Sequence, residues 1–136
     1  MAASGGPLSG VTVVDLSRIL AGPYCTMMMA ELGARVIKVE REEGDFARGY
    51  DHEVHGESAF FLWLNRGKES LVADLKNPDD LALLHRILAR ADVFIQNLAP
   101  GATDRIGLGS DDLRKKYPRL TTVDISGYGD EGPYAE

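Results

Sequence analysis

Short apolar runs alternate with segments of helical periodicity along most of this chain. Val11 to Leu16 (VTVVDL) is β-branched and reads as a strand; after the turn-like Ser17 to Gly22 comes Pro23, whose fixed φ suits the first helical position. The helix that follows carries Met27, Met28, Met29 and Leu32, and Gly33 is a natural residue for its left-handed stop. Ala34 to Glu40 (ARVIKVE) supplies a second strand, so the unit predicts a right-handed crossover between parallel strands. Ser70 to Leu75 (SLVADL) is a third strand. A strong helix start comes next, with Asn77 as N-cap, Pro78 at the first position and Asp79 and Asp80 at the positive end of the helix dipole. Leu81, Leu84, Ile87 and Leu88 then form one apolar stripe, and Asp92 to Asn97 (DVFIQN) is a fourth strand. Ser110 is expected to cap a short helix with Asp111 and Asp112 at its start and Lys115 and Lys116 near its end. Leu120 to Ser126 (LTTVDIS) is the last strand. The alternation predicts an α/β fold, a mainly parallel sheet with flanking helices.

Three stretches fall outside this rhythm. Arg41 to Lys68 is long for a connection between a strand and its neighbour, and it concentrates Phe46, Tyr50, Phe60, Phe61 and Trp63, which could cover apolar surface on a neighbour or on a further part of the same chain. Residues 1–6 are small and read as a flexible N-terminus, with the domain beginning at Pro7. The Gly-rich end, GYGDEGPYAE, follows a strand directly, so residues 7–136 are expected to be the N-terminal part of an incomplete, truncated domain.

Composition narrows the partners. At 136 residues the chain is one domain or a piece of one, and 15 Lys+Arg against 21 Asp+Glu give a net charge of −6. A broad basic footprint for nucleic acid or an anionic membrane would have to be built against that charge, so neither partner is expected. A single cysteine, Cys25, allows no intramolecular disulfide and fits a reducing compartment. With no leader pattern and no long apolar run, a cytoplasmic, soluble protein is the expectation.

In an open α/β sheet, ligands bind outside the carboxyl ends of the strands, which directs attention to the loops starting at Ser17, Arg41, Lys76, Asn97 and Gly127. None holds a G-x-G-x-x-G or Walker pattern, which removes most of the support for NAD or ATP. Ala21 and Gly22 nevertheless allow close approach of a ligand to the backbone, and the helix start behind them favours an anion. Arg41, Lys76 and Arg105 could clamp phosphates, although such a cation taken singly is more often a solvated surface charge. Glu40 stands where a dinucleotide fold places its ribose-binding acid, but the adjacent Arg41 suits a phosphorylated ribose better. His52, His55 and His85 lack an evident third ligand, so no metal is expected. Cys25 and the run Met27 to Met29 read as core filling. Asp15, Asp74 and Asp124 could act as bases or nucleophiles, though carboxylates at strand ends more often cap or pair locally.

Taken in order, DLSRILAGPYCTMMMAELGARVIKVE, LNRGKESLVADLKNP, DVFIQNLAPGATDRIGLG and DISGYGDEGPY resemble the class III coenzyme A transferases, the family of formyl-CoA transferase. The segment GDFARGYD, with FLWLNRGKESL and QNLAPGA, is most similar to the branch acting on dicarboxylates such as itaconate, mesaconate, citramalate or succinate. The resemblance implies a Rossmann-like large domain in an interlocked homodimer, with coenzyme A or acyl-CoA and a small carboxylate as substrates. It further implies that Ile19, Leu20 and Ala21 form the turn contacting CoA, that Arg41 lies near its phosphorylated adenosine end, and that Ala73, Lys76, Asn97, Leu98 and Arg105 make further contacts. At Leu20 the formyl-CoA enzyme carries a glutamine that serves its reaction centre, a role an apolar residue does not fill. The family's chemistry uses an aspartate nucleophile, forming a covalent anhydride with the acyl group. None of Asp15, Asp74, Asp124 or Asp130 aligns with it, so no catalytic residue is assigned and this chain alone is expected to be inactive. An α-methylacyl-CoA racemase type of isomerase and a non-catalytic CoA-binding module are the alternatives.

Overall fold

The computed structural model describes residues 5–135. β1 (Thr12–Asp15), β2 (Arg35–Glu40), β3 (Glu69–Val72), β4 (Val93–Gln96) and β5 (Thr121–Asp124) form one sheet in the order β3-β2-β1-β4-β5, every pair parallel. The fold class is the one the alternation of patterns predicts. β3 starts one residue earlier than expected and ends at Val72, because Asp74 and Asp80 draw the chain away: Asp74 accepts the Lys76 amide at 3.0 Å, and Asp80 accepts that of Asp74 at 2.8 Å.

Successive strand residues serve opposite faces. Val13, Val36 and Ile95 pack with Ala30 and Ala34 on the side of α1 (Ala21–Glu31), while Val14, Val39 and Phe94 pack with Leu84, Leu88 and Leu113 from α3 (Pro78–Leu88) and α5 (Ser110–Lys116). The start of α3 is as expected, with the Asn77 side chain accepting the Asp79 amide at 2.9 Å.

Several expectations need correction. α1 begins at Ala21, two residues before Pro23, and its N-cap Leu20 provides no side-chain hydrogen bond. Of the three methionines only Met27 is buried; Met28 is exposed and Cys25 half-buried, since consecutive helical residues step by about 100° and cannot all face the sheet. Ser110 is the first residue of α5, not its cap. Gly109 takes the cap position, and a Cβ there would lie 2.0 Å from Asp104 Oδ1. Residues 1–4 of the expected flexible terminus lie outside the described residues, as does Glu136; Gly6 packs on the end of α1, where a Cβ would lie 2.2 Å from the Leu32 carbonyl oxygen.

The long connection is folded. A 3₁₀ turn (Phe46–Gly49) is capped by Asp45, and α2 (Ala59–Asn65) is capped by Ser58, which accepts the Phe61 amide at 3.1 Å. α2 escapes the pattern because AFFLWLN has too little polar surface to display a helical period. Tyr50, Phe60, Trp63 and Tyr24 form a chain of neighbouring rings, 5.3, 6.1 and 5.9 Å between successive centroids.

Candidate functional site

β1 lies between β2 and β4, where the sheet changes its direction of build-up, and such switch points leave a crevice at the carboxyl ends. A cavity of about 520 Å³ occupies that place, lined by residues 16–18 after β1, 38–45 at the end of β2, 73–76 after β3, and Leu98, Ala102 and Ile106 after β4.

Beneath it three carboxylates are matched by three cations. Asp15 is fully buried, accepts the Ser17 amide at 2.9 Å and the Ser17 and Thr26 hydroxyls, and pairs with Lys68 at 3.1 Å. Lys68 Nζ also donates to the Pro23 carbonyl at 3.0 Å and to Asn65 at 2.9 Å, tying β1, α1 and α2 together. Burial lowers its pKa to about 8, outweighing the attraction of Asp15. Lys38, buried within β2, donates to the Ser17 carbonyl at 3.0 Å and to Asp45 at 2.9 Å. Glu40 accepts both arms of Arg48 at 2.8 Å, the Asp45 amide at 3.0 Å and the Ser70 hydroxyl at 3.0 Å. Burial pushes the Glu40 carboxyl up, but the Arg48 fork and the other donors together hold it below the usual range. Arg48 in turn lies over the Phe61 ring, 3.8 Å from its centroid.

Two candidates change meaning accordingly. Asp15 is a structural anchor and not an accessible nucleophile. Glu40 is not a free ribose acceptor, because its carboxylate oxygens are occupied by Arg48, Ser70 and Asp45.

The turn after β1 is held from both sides. Asn97 accepts the Arg18 amide at 2.8 Å and donates to the Arg18 carbonyl at 2.8 Å, while both Asp45 oxygens lie 3.2 Å from the Ile19 amide. Ile19 adopts φ +71°, a left-handed conformation that is costly for a β-branched residue. Ile19, Leu20 and Ala21 therefore project at the head of α1, all exposed, next to the half-buried Arg18.

Of the residues singled out from sequence, Arg41, Ala73, Lys76 and Leu98 line this cavity. Asn97 stands behind the turn with its amide committed to Arg18. Arg105 does not line the cavity: its guanidinium folds back over Gly101, where a Cβ would lie 3.2 Å from Nη1. Arg18 is a cation that sequence reasoning misses, and it shares the exposed Phe46 ring with Arg41, at 5.8 and 4.6 Å from the centroid. Asp45 and Lys38 are missed as well. The available signal is Lys38 itself, a charge inside an otherwise apolar strand that requires a buried partner. His52 faces the Gly56 carbonyl and His85 faces Tyr117, and no group of three metal-binding side chains occurs among the described residues. No helix among the described residues is long and apolar enough to cross a membrane.

The sequence profile of CoA-transferase family III matches residues 8–136. The chain belongs to that family. It is 42% identical over 131 residues to an acetyl-CoA:oxalate CoA-transferase of Acetobacter aceti, covering 96% of this chain and 34% of the relative. It is 43% identical over 129 residues to a succinyl-CoA:glutarate CoA-transferase of Mus musculus, covering 93% of this chain and 30% of the relative. A crystal structure of a CAIB/BAIF family protein from Brucella suis superposes with a TM-score of 0.91 at 43% identity, over 96% of this chain and 36% of that one. This family III chain thus spans about a third of the length of the relatives it matches. The resemblance of the four sequence blocks identifies the correct family of transferases.

Proposed function

We propose that the protein to which this chain belongs transfers coenzyme A from an acyl-CoA, such as succinyl-CoA, to a small dicarboxylic acid through an aspartyl intermediate, and that residues 7–136 are the N-terminal part of its CoA-binding domain. The observation that carries the reading is the switch-point cavity, with Arg18, Arg41 and Lys76 at its wall and a neutralised charge cluster below. Asp15, Asp45 and Glu40 have cations of their own; the wall also carries Glu42, Glu43 and Asp74, and Arg41 meets the exposed Glu43 only at 3.5 Å, a loose contact that the phosphates at one end of a CoA molecule can displace. Ile19, Leu20, Ala21, Arg41, Ala73, Lys76, Asn97, Leu98 and Arg105 are the CoA-contacting set in this reading, with Asn97 acting through the Arg18 backbone and Arg105 requiring a swing of its side chain. The dicarboxylate acceptor is supported by the oxalate and glutarate transferases it resembles. A homodimer as the working assembly and the cytoplasm as its compartment complete the reading.

Isothermal titration of the protein to which this chain belongs with CoA, dephospho-CoA and pantetheine tests it. Binding is expected to be strongest for CoA, weaker without the ribose phosphate and lost without the nucleotide. Equal affinity for CoA and pantetheine, or no binding of CoA at millimolar concentration, would overturn it.

A further inference from the structure

The turn after β1 carries a conformation its own sequence does not favour, and the groups that enforce it come from the following connection. Ile19 sits at φ +71°, where its Cβ crowds the backbone, whereas glycine would occupy this region without that cost. Its amide faces the two oxygens of Asp45, each at 3.2 Å. Asp45 is buried and held by Lys38 at 2.9 Å, by the Ala47 amide at 3.0 Å and through its own amide by Glu40 at 3.0 Å. Lys38 also grips the Ser17 carbonyl at 3.0 Å, so one ion pair holds the turn two residues apart. Asp45 and Lys38 both line the cavity wall.

We propose that Asp45 is a positioning residue: supported by Lys38, its carboxylate locks Ile19 in the left-handed conformation and thereby fixes the backbone of residues 18–21 toward the CoA-binding cavity. The inference rests on the CoA reading above, but the conformational half of it can be measured without any ligand. The lock acts before binding, so the ligand meets a preformed turn and does not have to order one. Loss of the lock lets Ile19 return to negative φ, and affinity falls by the share of molecules that leave the competent form.

The test is a double-mutant cycle on the protein to which this chain belongs: Asp45→Asn, Ile19→Gly and the pair, each checked for folding by circular dichroism. Two readouts are taken, CoA affinity by titration and the backbone φ of residue 19 from NMR couplings. Asp45→Asn is expected to weaken CoA binding roughly tenfold and to shift Ile19 to negative φ. In the Ile19→Gly background the same Asp45→Asn change is expected to cost less than about twofold, because glycine needs no lock; a merely structural Asp45 would show the same loss in both backgrounds. Should Asp45→Asn unfold the chain, Lys38→Met/Asp45→Asn, which removes the stranded ammonium, replaces it in the cycle. An unchanged φ at Ile19, or equal losses in both backgrounds, overturns the proposal. Failure of the unsubstituted protein to bind CoA overturns the CoA reading instead, while the NMR arm still decides whether Asp45 holds Ile19.

Discussion

Asn97, one residue past β4, brackets the backbone of Arg18, three residues past β1, with two opposed hydrogen bonds of 2.8 Å. One amide side chain thus fastens together the two loops that diverge at the switch point. Only an amide satisfies both, since it offers a donor and an acceptor side by side. Asn97→Asp keeps the acceptor but places a carboxylate oxygen against the Arg18 carbonyl. It is expected to destabilise the chain by about 1 to 3 kcal/mol and to weaken CoA binding more than Asn97→Ala does, as followed by urea denaturation and calorimetric titration.

Among the described residues Arg41 has only loose local partners, Glu43 at 3.5 Å and the Gly44 carbonyl at 3.3 Å, and its guanidinium rests on the exposed Phe46 ring. Its removal should therefore cost little stability, within about 0.5 kcal/mol. Affinity for CoA should fall by about tenfold or more, the worth of a charge-assisted hydrogen bond. The discriminating measurement is dephospho-CoA: if Arg41 reads the ribose phosphate, Arg41→Ala should hardly alter the affinity for that ligand.

These two residues mark what the sequence can and cannot reveal. The strands and α3 are legible because burial on both sheet faces demands apolar runs and Asn77-Pro78-Asp79 is a local helix signal. Arg41 is legible because it directly follows a strand on the ligand side. The double bond of Asn97 to Arg18 is not, since it joins residues 79 apart and depends on which strands become neighbours. Asp45 stays hidden for the same reason: its partners Lys38 and Ile19 meet only after the connection folds back. α2 is obscured by its all-apolar sequence, and the fold of Arg105 over Gly101 is a rotamer choice no pattern encodes.

Lys68 is a buried ammonium whose pKa lies at about 8, below the ordinary 10.5. Its folded form releases the proton more readily than the unfolded chain, so the unfolded state binds more protons between about pH 8 and 10.5. This group's contribution to stability therefore rises with pH across that window and is least favourable below it. Deleting the charge outright is a different matter, because Asp15 would be left alone with no compensation. Lys68→Met is expected to cost about 3 to 5 kcal/mol at pH 7, and Lys68→Met/Asp15→Asn distinctly less, measured by urea denaturation. A double substitution as harmful as the single one would show that packing, and not the stranded carboxylate, sets the cost.

Asp51 controls the other end of the connection. Its carboxylate accepts the Ala59 amide at 2.7 Å, the Ser58 hydroxyl at 2.9 Å, the Glu53 amide at 3.2 Å and the Phe60 amide at 3.3 Å, so it gathers the chain at the start of α2. The Ala59 amide foremost, then the Glu53 amide, the Ser58 hydroxyl and the Phe60 amide, lower its pKa from 3.8 to about 2. Because the folded value is depressed, the stabilisation is present in full above about pH 4 and is lost as pH falls from 3.8 towards 2. Protonation releases the start of α2, and with it the edge-on packing of the Phe60 and Trp63 rings. Trp63 is the single tryptophan, so its emission reports this step directly. Acidification should change Trp63 fluorescence in that window, and Asp51→Asn, which lacks the titrating group, should lose this acid-dependent step and show altered emission already at pH 7. If the Asp51→Asn variant gave the same fluorescence titration as the unsubstituted chain, the transition would belong to another carboxylate.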